Sequence, residues 1–167
     1  MDVLFNIGDK VVYPMHGAGI IEAIEEKEIL GERQKYYVMR MPIGDMKVMV
    51  PLNNVENIGL REVVDHSTVD KVLERMKKRD IKDTLNWNRR YRANLDKMRS
   101  GDIYEVADVV RSLMVRDEEK GLSTGERKML ENAKQILISE LALARDLDEA
   151  AAFKLIDGIL SSSSQQN

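Results

Sequence analysis

The chain contains no cysteine. Disulfides, thiolate nucleophiles and the usual cysteine-based structural zinc sites are excluded, and the composition fits a reducing compartment. Histidine is almost as scarce: His16 and His66 are the only two, far apart in sequence. No nucleophile motif, metal-ligand cluster or Walker pattern occurs. Gly17-x-Gly19 is too short for a phosphate loop, and two glycines in a β-turn account for it. The expectation is a non-enzyme without metal or cofactor. Long apolar runs are also missing, so nothing approaches the roughly 20 residues of a membrane-spanning helix. The opening Met1-Asp2-Val3-Leu4-Phe5-Asn6-Ile7-Gly8 lacks the positive segment and apolar stretch of a signal peptide. A soluble cytoplasmic protein is expected.

What the chain has in excess is charge, unevenly placed. Residues 1–64 hold seven Lys/Arg against ten Asp/Glu, residues 71–99 eleven against four, and residues 100–167 eight against thirteen. The overall charge of −3 therefore hides a strongly basic segment, and local charge sets local partners. A solvated helix face would explain part of that excess. A polyanion such as nucleic acid explains more of it.

The two halves follow different patterns, and the fold class expected is α+β with two domains. Short β-branched, Tyr and Met runs at Lys10–Tyr13, Ile20–Glu26, Lys35–Met41 and Met46–Pro51 predict strands. Pro14, Gly17, Gly19, Gly31, Pro42 and Gly44 punctuate them, as in a small bent sheet or open barrel. Hairpin turns are expected at Glu32–Gln34, after Leu30-Gly31, and at Gly44-Asp45. Gly59 closes this half, and from Ser67 the period becomes helical. The apolar stripes are Val69, Val72, Leu73 and Met76; Trp87, Tyr91, Leu95 and Met98; Ile103, Val106, Ala107, Val110 and Leu113; and Leu130, Ala133, Leu137, Leu141 and Ala144. A weaker helix spans about Leu147 to Leu160. Ser100-Gly101-Asp102 and Lys120-Gly121 read as helix ends, and Ser123 with Glu126 has capping-box spacing. The reading is a β domain over 1–62, a helical domain over 67–160 and a polar, disordered tail over 161–167.

The most informative stretch is Asn86-Trp87-Asn88-Arg89-Arg90-Tyr91-Arg92. At about 100° per residue, Arg89, Arg92 and Arg99 fall away from the Trp87 stripe and can face phosphates. Trp87 has two readings: a core residue sharing a face with Tyr91 and Leu95, or an apolar plane in the first turn that stacks on a base or enters a groove. Periodicity does not separate them.

Gly8-Asp9-Lys10-Val11-Val12-Tyr13-Pro14 with His16-Gly17-x-Gly19 resembles the opening of the CarD family of bacterial transcription factors. So do Trp87-x-Arg89-Arg90-Tyr91-Arg92, Ser100-Gly101-Asp102 with Val109-Val110-Arg111-x-Leu113, and Gly121-Leu122-Ser123-x-Gly125-Glu126-Arg127-x-Met129-Leu130. Each motif alone is weak, but four in order over residues 5–145 are specific. The resemblance implies a Tudor-like N-terminal domain, shared with the transcription-repair coupling factor, that adds its sheet edge to a strand of the RNA polymerase β subunit. That edge would be Lys47, Val48, Met49, Val50 and Pro51, with Lys27 where some relatives carry a polymerase-contacting Arg. Met49 stands where some relatives have Arg and others an apolar residue. The resemblance further implies a helical domain at the upstream edge of the promoter bubble, with Trp87 in the minor groove and Arg89, Arg90, Arg92 and Arg127 on the DNA. Stabilisation of the open complex follows from it. A monomer is expected because no clear dimer stripe is left over after four helices are packed, in the cytoplasm and associated with the nucleoid.

Two other classes compete. A general protein-interaction module built on a Tudor-like scaffold would need an aromatic cage, but adjacent Tyr36 and Tyr37 point to opposite faces of a strand, and Phe5 and Tyr13 add little. A sequence-reading repressor would need a tight helix-turn-helix, which long helices joined at Gly121 do not make.

Overall fold

The computed structural model describes residues 4–42, 45–78 and 86–164, with side chains to Leu160. The N-terminal half is a five-stranded antiparallel sheet of order β4-β3-β2-β1-β5. β1 (Lys10–Tyr13), β2 (Gly17–Ile29), β3 (Glu32–Met41) and β4 (Met46–Pro51) form a meander. A 3-10 turn and the one-turn helix α1 (Val55–Ile58) then return the chain to β5 (Arg61–Glu62) beside β1.

β1 and β4 have the bounds their residue patterns predict, whereas β2 and β3 are longer. Ile29 pairs with Glu32, so the turn is only Leu30-Gly31, with φ of 54° and 82°. Positive φ at both central residues marks the tight type I′ hairpin geometry. The turn expected at Glu32–Gln34 is thereby corrected: those residues lie in β3. The ribbon beyond the reach of β4 is exposed on both faces, so it lacks the apolar alternation that makes a strand visible. Gly44 lies outside the described residues. Tyr36 and Tyr37 are both buried. The Tyr37 hydroxyl donates to Phe5 O (3.1 Å) and accepts from Phe5 N–H (2.9 Å), so these rings belong to the core rather than to an open cage.

The helical half comprises α2 (His66–Met76), α3 (Trp87–Arg99), α4 (Ile103–Glu119), α5 (Thr124–Arg145) and α6 (Glu149–Ser164). Four have side-chain N-caps: Asp65, Asn86, Asp102 and Ser123 each accept a backbone N–H from the first turn. The stripes predicted on α2, α4 and α5 are buried at every named position. The α6 backbone continues helically through Ser164, into the polar stretch read from sequence as a tail.

α5 is the central strut. Nine consecutive residues, Ile136 to Ala144, are buried, the signature of a helix covered on all sides. It packs against α4, α6 and β2, so the halves share a seam. Ala18 N–H donates to Ser139 Oγ (2.9 Å). Arg61 grips Glu140 through both guanidinium nitrogens at 2.7 Å, and Val64 N–H adds a third bond to that carboxylate (3.0 Å). Lys10 Nζ donates to Leu143 O and Asp146 Oδ1. Gly101, at φ 72°, lies against Pro14; an added Cβ would sit 2.8 Å from the proline ring, so this contact needs glycine twice over.

Candidate nucleic-acid interface

Trp87 is the first residue of α3, whose start is fixed by Asn86 Oδ1 accepting from Arg89 N–H (3.0 Å). A side chain in the first turn lies beyond the helix's packed length, and Trp87 is 45% exposed. One indole face stacks on Tyr91, centroids 5.3 Å apart with 19° between planes. Its Nε1–H donates to Ser123 Oγ (3.0 Å), the N-cap of α5. Gly125 is beside both rings: a methyl group there would lie 3.7 Å from Tyr91 and 3.9 Å from Trp87. The residue is neither core nor free, but a half-exposed plane held at its polar edge.

The basic residues divide. Arg89, Arg92 and Arg99 are exposed on α3, and no described carboxylate makes an ion pair with Arg89 or Arg92. Arg127 is exposed one turn into α5, with Asp117 at 3.6 Å. Arg90, expected on the DNA side, is a correction. It is only 8% exposed, and its guanidinium binds Glu126 at 2.8 and 3.2 Å. Of the predicted stripe, Met98 is buried, Tyr91 and Leu95 are half-buried against the core and Trp87 stands out, while Arg90 and Asn94 are buried beside them. The reason for Arg90 is Glu126, which faces α3 from α5 and would be uncompensated without Arg90. Burial pushes the Glu126 carboxyl up, but Arg90 and then Arg116 outweigh it and hold it below the usual carboxylate range. Arg79 and Lys82 of the basic segment lie outside the described residues.

In the sheet β4 is an edge strand, with β3 as its one neighbour. Its side chains alternate in register against β3, Lys47 with Arg40, Val48 with Met39, Met49 with Val38, Val50 with Tyr37 and Pro51 with Tyr36. Val50 is buried, Val48, Met49 and Pro51 half-buried, and Lys47 exposed, 3.2 Å from Glu22. An edge that is not covered presents backbone groups to an incoming strand. Lys27 is two strands inward, paired with Gln34 on the exposed ribbon.

Two family models match: the CarD-like/TRCF RID domain over residues 5–64 and the CarD C-terminal domain over 71–157. A protein of Bacillus subtilis (strain 168), YdeB, named as a candidate transcription factor, is 47% identical over 146 residues, covering 87% of this chain and 95% of its own. The chain belongs to the CarD family. The solution structure of the 72-residue N-terminal domain of Myxococcus xanthus CarD is 35% identical, over 37% of this chain and 83% of its own, with a TM-score of 0.32; the assignment rests on the other matches. CarD-family proteins are non-enzymatic transcription regulators, and regulation of transcription is the activity that membership assigns here.

Within that family frame, the first match holds the whole sheet and the second all of α3, α4 and α5. The capping-box spacing drew attention to Ser123 and Glu126 as a helix start. It did not show that the same hydroxyl would hold the indole, or that the same carboxylate would bury an arginine from another helix. Only tertiary placement reveals those second partners. Among the described residues no cluster of three metal-ligating side chains occurs, and no helix is long and apolar enough to cross a membrane.

Proposed function

We propose that this CarD-family protein binds the RNA polymerase β subunit through the β4 edge and promoter DNA through the corner around Trp87, stabilising the open complex. The observation that carries the DNA reading is the half-exposed indole at the start of α3, flanked by exposed Arg89 and Arg92. Guanidinium groups hold phosphates without reading sequence, while an apolar plane inserts where base steps are already unstacked. Such a site exists mainly at the edge of a melted bubble. A factor that binds the open form better than the closed shifts opening by its differential affinity, and about 1.4 kcal/mol of difference is tenfold in that equilibrium. Arg127 adds a phosphate contact beside α3. Arg90 serves the site from beneath by fixing α3 to α5.

The polymerase reading is supported by the uncovered β4 edge, a form suited to strand addition in which backbone hydrogen bonds supply affinity. Lys47 and Met49 flank those bonds with side chains, and Lys27 adds a charge on the ribbon. The protein acts as a monomer in the cytoplasm, on promoters in the nucleoid. The test is titration of σ-bound polymerase with wild type and with Met49→Asp, following polymerase binding and the open fraction. A carboxylate buried without a partner at the edge should weaken polymerase binding at least about tenfold and lower the open fraction in parallel. Unchanged binding would remove β4 from the interface.

A further inference from the structure

Trp87, Ser123, Glu126 and Arg90 form one chain of hydrogen bonds that converges on the Glu126 carboxylate. The indole Nε1–H donates to Ser123 Oγ at 3.0 Å. The same oxygen accepts Glu126 N–H at 3.2 Å, capping α5, and its hydroxyl donates to Glu126 Oε1 at 3.4 Å. Glu126, 2% exposed, accepts from Arg90 through both carboxylate oxygens. A half-exposed side chain is thus tied, through one hydroxyl, to a fully buried ion pair. Exposed tryptophans have no need of this, because water satisfies an indole N–H at no cost in ring freedom.

We infer that Ser123 is a positioning residue for Trp87, fixing the indole before DNA arrives and turning its only polar atom inward. The inference rests on the proposed DNA role of Trp87 and deepens it. With one face on Tyr91, the N–H on Ser123 and Cζ2 near Gly125, the exposed remainder of the ring consists of its other carbon atoms. These carry no hydrogen-bond donor, so Trp87 senses a gap in the base stack rather than the identity of a base. A ring already held in its bound rotamer also avoids the ordering cost of a free side chain, about 0.5–1.5 kcal/mol, or roughly two- to tenfold in binding. Glu126 and Arg90 act one step further back: they hold the hydroxyl and the two helices that carry ring and serine.

The chain has a single tryptophan, so emission excited beyond the tyrosine absorption band reports Trp87 alone, with no DNA and no polymerase present. The variants are Ser123→Gly, which keeps most of the N-cap preference but removes the acceptor, and Ser123→Thr, which keeps the hydroxyl. Their folding is checked by thermal melting. The expected result for Ser123→Gly is lower Trp87 anisotropy and greater quenching by acrylamide, with Ser123→Thr close to wild type. In promoter opening, Ser123→Gly should lose about two- to tenfold in half-maximal concentration. In a Trp87→Phe background, which has no N–H to hold, the same change should lose nothing. A merely structural serine would instead lose the same amount in both backgrounds, and that would overturn the inference. Unchanged anisotropy and quenching in Ser123→Gly would overturn it directly. If those signals change while wild-type protein fails to affect opening, the proposed function falls and the held ring stands.

Discussion

Two glutamates of α5, 14 residues apart in numbering, are equally buried and do different work. Glu126 and Glu140 are each 2% exposed, and each is held by both arms of one arginine. Glu140 takes Arg61 from the sheet and so fastens the two halves together. Glu126 takes Arg90 from α3 and so fastens the helix that carries Trp87. Arg61 keeps part of its surface in water, whereas Arg90 is almost enclosed. The comparison shows that a basic segment need not be basic for one reason. Around Trp87, Arg90 is a structural counter-charge, whereas Arg89 and Arg92 are exposed and make no ion pair with a described carboxylate.

Breaking the more enclosed pair should have the largest effect. Arg90→Ala leaves a carboxylate buried without its partner, and urea unfolding should show a loss of about 3–5 kcal/mol; a loss under about 1 kcal/mol would mean that Glu126 is solvated. The same pair gives acid sensitivity. Because the Glu126 pKa is depressed in the folded state, its stabilisation is complete above the ordinary glutamate value of about 4.3 and disappears as pH falls through the depressed value. The slope of stability against pH in that acid window should be smaller in Glu126→Gln than in wild type.

Arg61→Ala should be milder, about 1.5–3 kcal/mol, the scale of hydrogen bonds to a charged group that water can partly replace. Its more telling readout is protease cleavage near residues 62–66, which should become faster as the seam loosens. A seam that resists cleavage as well as wild type would show that Ala18, Ser139 and the Val12–Leu143 contact suffice. Arg127→Ala should be the smallest change. Stability should stay within about 0.5 kcal/mol, as for an exposed substitution, while the salt dependence of promoter binding should fall by about one phosphate contact. An unaltered slope would place Arg127 away from DNA.

Much of the fold was readable from residue patterns because burial there is one-sided. Val69, Val72, Leu73 and Met76 on α2, and the stripes of α4 and α5, alternate apolar with polar at helical spacing and are buried as that spacing requires. The outer end of the β2–β3 ribbon, after Glu26 and before Lys35, was not readable, since a strand exposed on both faces has no alternation to see. The seam was not readable either: Arg61, Glu140 and Ser139 look like surface residues until a partner half covers them. At the candidate site, the position of Trp87 in a first turn was legible, but its environment was not. Arg90 shows the limit most clearly, because helical spacing separates faces and says nothing about a carboxylate arriving from another helix.

The central claim is that Trp87 acts on the bubble edge while the rest of the molecule holds it there. It is tested most directly by promoter opening with σ-bound polymerase and a fluorescent probe in the bubble, comparing wild type with Trp87→Ala at concentrations where both bind polymerase. The account predicts that wild type raises the open fraction and that the alanine variant loses most of that increase. Equal stimulation by the two proteins would contradict it, leaving the basic surface alone as the DNA contact.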